Sequence, residues 1–151
     1  MIDDDILEVG QVLWLKVRYQ IDVVSNIIHP MIIAKIEDDY IEVIAIDKTS
    51  GKLYQLFHEY NFYINCDEPK ESVISEDSYA QLNTKLTIDK IDELKNARKC
   101  LNKLSETKLN KLLKEYNNYQ KSHNLDEQRI VHMTKDEIIS LNENIKNDYE
   151  L

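Results

Sequence analysis

Tyr40-Ile-Glu-Val-Ile-Ala-Ile-Asp-Lys-Thr-Ser-Gly-Lys52 holds a strand and the turn that ends it. Its unbroken apolar run, Val43 to Ile46, has no polar side, so it predicts a strand covered on both faces. Thr49, Ser50 and Gly51 are turn formers, and Gly51 can supply a positive φ. Two hydroxyls and an ammonium at a strand end can also hold a phosphate, because a hydroxyl donates and accepts while lysine carries three donors and a charge. The alternative is an ordinary turn with a solvated lysine.

The flanking sequence continues the strand pattern. Pro30 to Ile36 reads as a strand with its proline at the first position, since proline cannot donate to a ladder. The acidic turn Glu37-Asp38-Asp39 joins it to the run at Tyr40. Earlier, Val9 to Tyr19 alternates: Val9, Leu13, Leu15, Val17 and Tyr19 share one side, and Val12, Trp14, Lys16 and Arg18 the other. Gly10 suits a bend there, and residues 20–28 read as a loop. Downstream, Leu53 to His58 and Phe62 to Asn65 read as short strands, residues 66–77 as a polar loop, and Ser78 to Ile88 as a further alternating strand. Five or six short strands with tight turns predict a small barrel or sandwich.

The period then changes. Leu104, Leu109, Leu112, Leu113, Tyr116 and Tyr119 form one helical stripe, with Lys108, Lys111 and Lys114 largely off it. Ser105 is the expected N-cap, with Leu104 and Leu109 as a hydrophobic staple. A second helix is predicted from Thr134, where Thr134 and Glu137 match a capping box and Met133 and Ile138 a staple. Residues 120–132 link the two. The expected organisation is one domain over 1–120 with its helix, followed by a linker and helical extension over 121–151.

The chain has 151 residues, 42% of them hydrophobic and 31% charged, as expected of a globular domain. That length buries roughly two thirds of the unfolded surface. Cys66 and Cys100 match no metal spacing and read as two free buried thiols of a reducing cytosol. The acidic start Met1 to Asp5 is the reverse of a signal peptide, so the expected location is cytoplasmic. The net charge of −9 disfavours indiscriminate nucleic-acid binding. A local exception is residues 95–123, with eight lysines and arginines against two acidic residues. That stripe is a candidate nucleic-acid surface or simply a solvated helix face.

Several chemistries are excluded. Two glycines, Gly10 and Gly51, cannot build a glycine-rich phosphate loop. His29, His58, His123 and His132 show no paired metal spacing, and no nucleophile-elbow serine is present. Neither a cofactor nor a metal is expected. Thr49, Ser50, Lys52 and His29 remain. Metal-free RNA cleavage needs a base for the 2′-OH, donors for the charged phosphorane and an acid for the leaving 5′-oxygen. An imidazole can act as acid or base near neutral pH. Tyr54, Tyr60 and Tyr63 follow closely and offer faces on which bases could stack, or serve as half-buried strand residues.

In order, Val9-Gly10-Gln-Val-Leu-Trp-Leu15, His29-Pro-Met-Ile-Ile33, Ile44-Ala-Ile-Asp-Lys-Thr-Ser50 and Leu101-Asn-Lys-Leu-Ser-Glu106 resemble the strand and helix motifs of the MazF/PemK toxin family, over about residues 9–120. Thr49-Ser50-Gly51-Lys52 is also similar to the Thr-Ser-x-Lys of the type III, RNA-antitoxin toxins of the same fold. His29 stands where the family has arginine, and Asp47-Lys48 where it has proline. The resemblance implies an α+β, mainly β protein: a small SH3-like β-barrel with a packed C-terminal amphipathic helix and a helical tail. It implies a homodimeric, metal-independent endoribonuclease of a toxin–antitoxin system, acting on single-stranded RNA and held by an RNA or small-protein antitoxin. Thr49 and Ser50 would contact the scissile phosphate, Lys52 would stabilise its charge, and His29 would stand beside them. Tyr54, Lys95, Arg98, Lys99 and Lys103 would bind RNA. The other reading is a catalytically inert barrel that binds a protein partner and is carried by a phage or mobile element.

Overall fold

The computed structural model describes residues 6–67 and 70–146. The acidic start, Met1 to Asp5, and the last five residues of the expected extension lie outside them. The fold is mixed and mainly sheet. Among the described residues nine strands form, β1 (Val12–Leu15), β2 (Arg18–Gln20), β3 (Val23–Val24), β4 (His29–Ile36), β5 (Tyr40–Lys48), β6 (Asn61–Ile64), β7 (Ser78–Gln81), β8 (Lys85–Asp89) and β9 (Ile130–Met133), with helices α1 (Glu106–Ser122) and α2 (Lys135–Leu141).

The long β5 is the centre of a seven-stranded sheet. One edge pairs with β4, which pairs in turn with β1. The other edge pairs with β8 over its first half and β7 over its second. The sheet forks beyond that, because β6 extends it from β7 and β9 from β8, the latter in parallel. Among the described residues β1, β6 and β9 each pair on one side only, so the sheet does not close into a barrel. β2 and β3 make a separate small hairpin.

The unbroken apolar run of β5 is explained by two cores, one on each face. Val43 packs with Leu13, Leu15, Met31, Ile33, Leu86 and Ile88, covered by Leu94, Val131, Met133, Ile138 and Ile145. Ile44 and Ile46 pack with Val12, Ile32, Ile64 and Ala80 under Leu104, Leu112 and Tyr116 of the α1 side. The predicted α1 stripe is thus a true packing face.

Several expectations change. Val9 to Tyr19 is two strands, β1 and β2, and residues 20–28, read as a loop, contain β3 and complete the hairpin. Leu53–Phe57 is a 3-10 turn, not a strand. Leu53, Tyr54 and Phe57 are exposed there, Phe57 at 91%. Ser78 to Ile88 is broken at residues 82–84 into β7 and β8, the point of the fork. Residues 120–132, read as a linker, contain β9, whose Val131 and Met133 enter the first core.

Candidate functional site

The end of β5 carries the site. β5 leaves the cores at Asp47, where Tyr79 of β7 is its cross-strand neighbour. Asp47 Oδ2 accepts a 2.8 Å hydrogen bond from the Lys52 ammonium and a 3.5 Å one from the Tyr79 hydroxyl. Its Oδ1 accepts from the Lys48 N–H. The turn between them forms because the Lys52 N–H donates to the Thr49 carbonyl at 2.8 Å and Gly51 takes φ +73°, as a type II turn requires at its third position. The hydrogen bond to Asp47, partly offset by burial, holds the Lys52 pKa above the ordinary lysine value. Lys52 is therefore a fixed cation and not a proton shuttle. Burial, with Asp47 adding to it, pushes the Tyr79 phenol up, so Tyr79 stays a neutral donor.

Extending the β4–β5 register from Met31 opposite Ala45 sets His29 beside Asp47. Both line one cleft of about 410 Å³, roofed by the β2–β3 hairpin and its loop through Tyr19, Val24 and Ile27, with Gln81 and Arg129 at its wall. Ser50 is exposed on the turn, whereas Thr49 is buried. The Thr49 hydroxyl and N–H both donate to the Asp77 carbonyl, at 3.3 and 3.0 Å. Thr49 thus anchors the turn to the segment before β7, and Ser50 and Lys52 are the members of the quartet open to a ligand. Tyr54 is 60% exposed, and its phenol contributes to the electrostatics of Lys52 and Tyr79. Tyr60 stacks on His58, and Tyr63 donates to Asp77 at 2.8 Å.

Lys95, Arg98, Lys99 and Lys103 lie elsewhere, and none of them lines the His29 cleft. Arg98 is bonded to the carbonyls of Lys95 and Ile6 and to Gln11. Lys99 sits 3.6 Å above the Trp14 ring, and Lys103 faces Glu8 at 4.0 Å. Further along the stripe, Lys108 pairs with Glu71 and the Asn65 carbonyl. Several of these cations thus have partners within the fold, while Lys99, Lys103, Lys111 and Lys114 are exposed.

Cys66 is half-buried and Cys100 exposed, both free, which corrects the expectation of two buried thiols. Cys66, Asp67 and Asp77 bring ligand-type atoms within 4.8 Å of one another. Asp77 already accepts from the Cys66 N–H and the Tyr63 hydroxyl, bonds that hold its carboxyl below the ordinary range.

Sequence reading missed Asp47, Tyr79 and Arg129 as members of the site. Asp47 was in view as a departure from the resemblance, but its partners come from register. Arg129 stands 82 residues beyond Asp47 and carries no motif.

Compared with models of known families, with characterised proteins and with solved structures, the chain has no match in any of the three. Among the described residues no helix is long and apolar enough to cross a membrane.

Proposed function

We propose that the protein is a metal-independent endoribonuclease acting on single-stranded RNA, the toxin of a toxin–antitoxin system, built on an opened version of the SH3-like barrel. The observation that carries this reading is the Lys52–Asp47–Tyr79 cluster at the end of β5, sharing Asp47 with the cleft that His29 lines. The motif resemblance supplies the substrate class. An RNA strand laid across this end would meet Tyr54 as a stacking surface.

His29 takes the proton from the 2′-OH, the 2′-oxygen attacks phosphorus, and the bond from phosphorus to the 5′-oxygen breaks. An acid, a returning imidazolium or water, protonates the leaving oxygen, and a 2′,3′-cyclic phosphate remains. Lys52, fixed as a cation, and the Ser50 hydroxyl stabilise the phosphorane charge. Thr49 positions both through its bonds to Asp77.

The test is cleavage of single-stranded RNA in excess chelator with mapping of the product ends. Lys52→Ala is expected to lower turnover about 10²- to 10³-fold, and Ser50→Ala about 10-fold or more. RNA left intact by the wild type, with no growth arrest on expression, would sink the proposal.

A second reading, an inert module for a protein partner, is favoured by one observation. The β2–β3 hairpin and its loop expose Ile21, Val23, Val24, Ile27 and Ile28 together. This reading expects no cleavage, and a stable complex lost when Ile27 and Ile28 are changed to serine.

A further inference from the structure

We propose that the cleft beneath the β2–β3 hairpin binds a ribonucleotide and that Arg129, just before β9, grips its phosphate; the choice of an RNA-derived ligand rests on the ribonuclease reading. The cleft offers both kinds of surface: Tyr19, Val24 and Ile27 are exposed apolar or aromatic groups in its lining, and His29, Gln81 and Arg129 are polar ones. Its volume of about 410 Å³ falls within the usual range for small-ligand sites. A nucleotide asks for both, with a flat base at one end and a multiply charged phosphate at the other.

Arg129 is singled out by what it does not do. The chain has three arginines, Arg18, Arg98 and Arg129. Arg18 is committed to Glu137 at 2.6 Å and to the His132 carbonyl. Arg98 is committed to two carbonyls and Gln11. Arg129 donates one bond of 3.3 Å, from Nη1 to the Thr84 hydroxyl, and pairs with no carboxylate among the described residues. In a chain with 28 acidic residues, a half-buried guanidinium without a carboxylate is left with donors to offer a ligand. Most of its five N–H donors remain available, in a planar fork that matches phosphate oxygens.

Its placement is fixed on both sides. Thr84 holds it at the point where β7 and β8 part. The neighbouring Gln128 carbonyl accepts from the Ile21 N–H, which ties the same segment to the hairpin roof. The carboxylate of the cleft, Asp47, is bonded to Lys52, which offsets its repulsion of an anion. The segment beyond residue 120 thereby contributes a binding residue to a site whose other parts come from the first half of the chain.

The full-length chain is titrated with a nucleoside 3′-monophosphate, with the matching nucleoside and with inorganic phosphate, followed by calorimetry and by NMR. The nucleotide is expected to bind more tightly than either part and to shift the Tyr19 and His29 resonances. Arg129→Ala should weaken nucleotide binding about 10- to 100-fold and leave nucleoside binding unchanged. Arg129→Lys, which keeps the charge and loses the fork, should fall between and serves if the alanine variant does not fold. Equal nucleotide affinity in wild type and variant, or no nucleotide binding by folded wild type, overturns the proposal. This readout is separate from cleavage. A nucleotide gripped through Arg129 beside intact RNA would remove the ribonuclease reading and keep the site. RNA cleaved by wild type, with nucleotide affinity indifferent to Arg129, would do the reverse.

Discussion

Gly10 is the residue at which the backbone has least choice. Its φ is +97°, a region that L side chains rarely adopt, and a Cβ there would lie 2.8 Å from Leu109 Cδ2 and 3.3 Å from Lys103 Cβ. Its N–H donates to the Ile33 carbonyl and its carbonyl accepts from the Leu104 N–H, both at 2.9 Å. One glycine thus joins β4, the entry to β1 and the start of α1. Gly10→Ala should destabilise the protein by about 2 kcal/mol, through backbone strain and crowding together. The check is the urea midpoint, and an unchanged value would mean that Leu109 moves aside freely. Glu71 is the second such residue. Its buried carboxylate accepts from the Ser105 N–H at 2.8 Å and pairs with Lys108 at 3.1 Å. Glu71→Ala removes the acceptor of both contacts at once and is expected to cost about 2 kcal/mol. Glu71→Gln, which keeps the acceptor, should cost less in the same measurement.

At the level of elements, the helix starts explain both what could be read in advance and what could not. Ser105 does stand at the N-cap of α1, but its side chain accepts no cap bond, and its own N–H donates to the distant Glu71. Thr134 caps α2 as its spacing suggests, accepting from the Glu137 N–H at 3.4 Å. Glu137 does not close the capping box, because Arg18 of β2 takes its carboxylate. Local chemistry therefore located both helices, and long-range partners decided how their ends are satisfied. The same division explains the strands. β4, β5 and β6 were legible because alternation or an unbroken apolar run marks them. β9 is four residues long and pairs in parallel with β8 from far away, so only its inward Val131 and Met133 hinted at it. Leu53–Phe57 misled because a strand-like composition lies outside both cores.

These end contacts also set a pH dependence. The Lys135 N–H, with help from His132, holds the Asp89 carboxyl below its ordinary range. The hydrogen bond from Arg18 does the same for Glu137. In Glu71 burial acts upward, but the Ser105 and Lys108 bonds outweigh it. A carboxyl with a depressed folded pKa contributes stability that is complete above its unfolded value, near 4, and lost as pH falls through the lower folded one. Stability should therefore hold down to about pH 5 and decline below about pH 4. Glu137→Gln should make that decline shallower, which acid titration followed by circular dichroism would detect; an unaltered slope would mean that the Arg18 pair contributes nothing.

On the scale of the whole molecule, the question is whether residues 121–146 decorate the fold or complete it. The turn at Thr49 to Lys52 was legible from residue types, and its likeness to a phosphate-handling turn came from the resemblance. Its carboxylate partner and the cleft around it depend on register and on chain that returns from the other end, which no local pattern records. That returning chain covers one of the two cores: Val131, Met133, Ile138 and Ile145 are each 2% exposed or less. Asn142, 1% exposed, accepts from the Lys16 N–H at 2.7 Å and donates to the Lys16 carbonyl at 2.8 Å, satisfying backbone that leaves β1. Removing these residues would uncover apolar side chains worth roughly 1.5–3 kcal/mol each, against a total stability of about 5–15 kcal/mol. A chain ending at residue 120 is therefore expected not to fold, losing the dispersed amide spectrum and the cooperative melting of the full chain. Asn142→Ala, which leaves one buried backbone donor and one acceptor unpaired, should cost about 2–4 kcal/mol without abolishing the fold. Cooperative melting of the 1–120 fragment near the full-chain temperature would show instead that the first core closes without this cover.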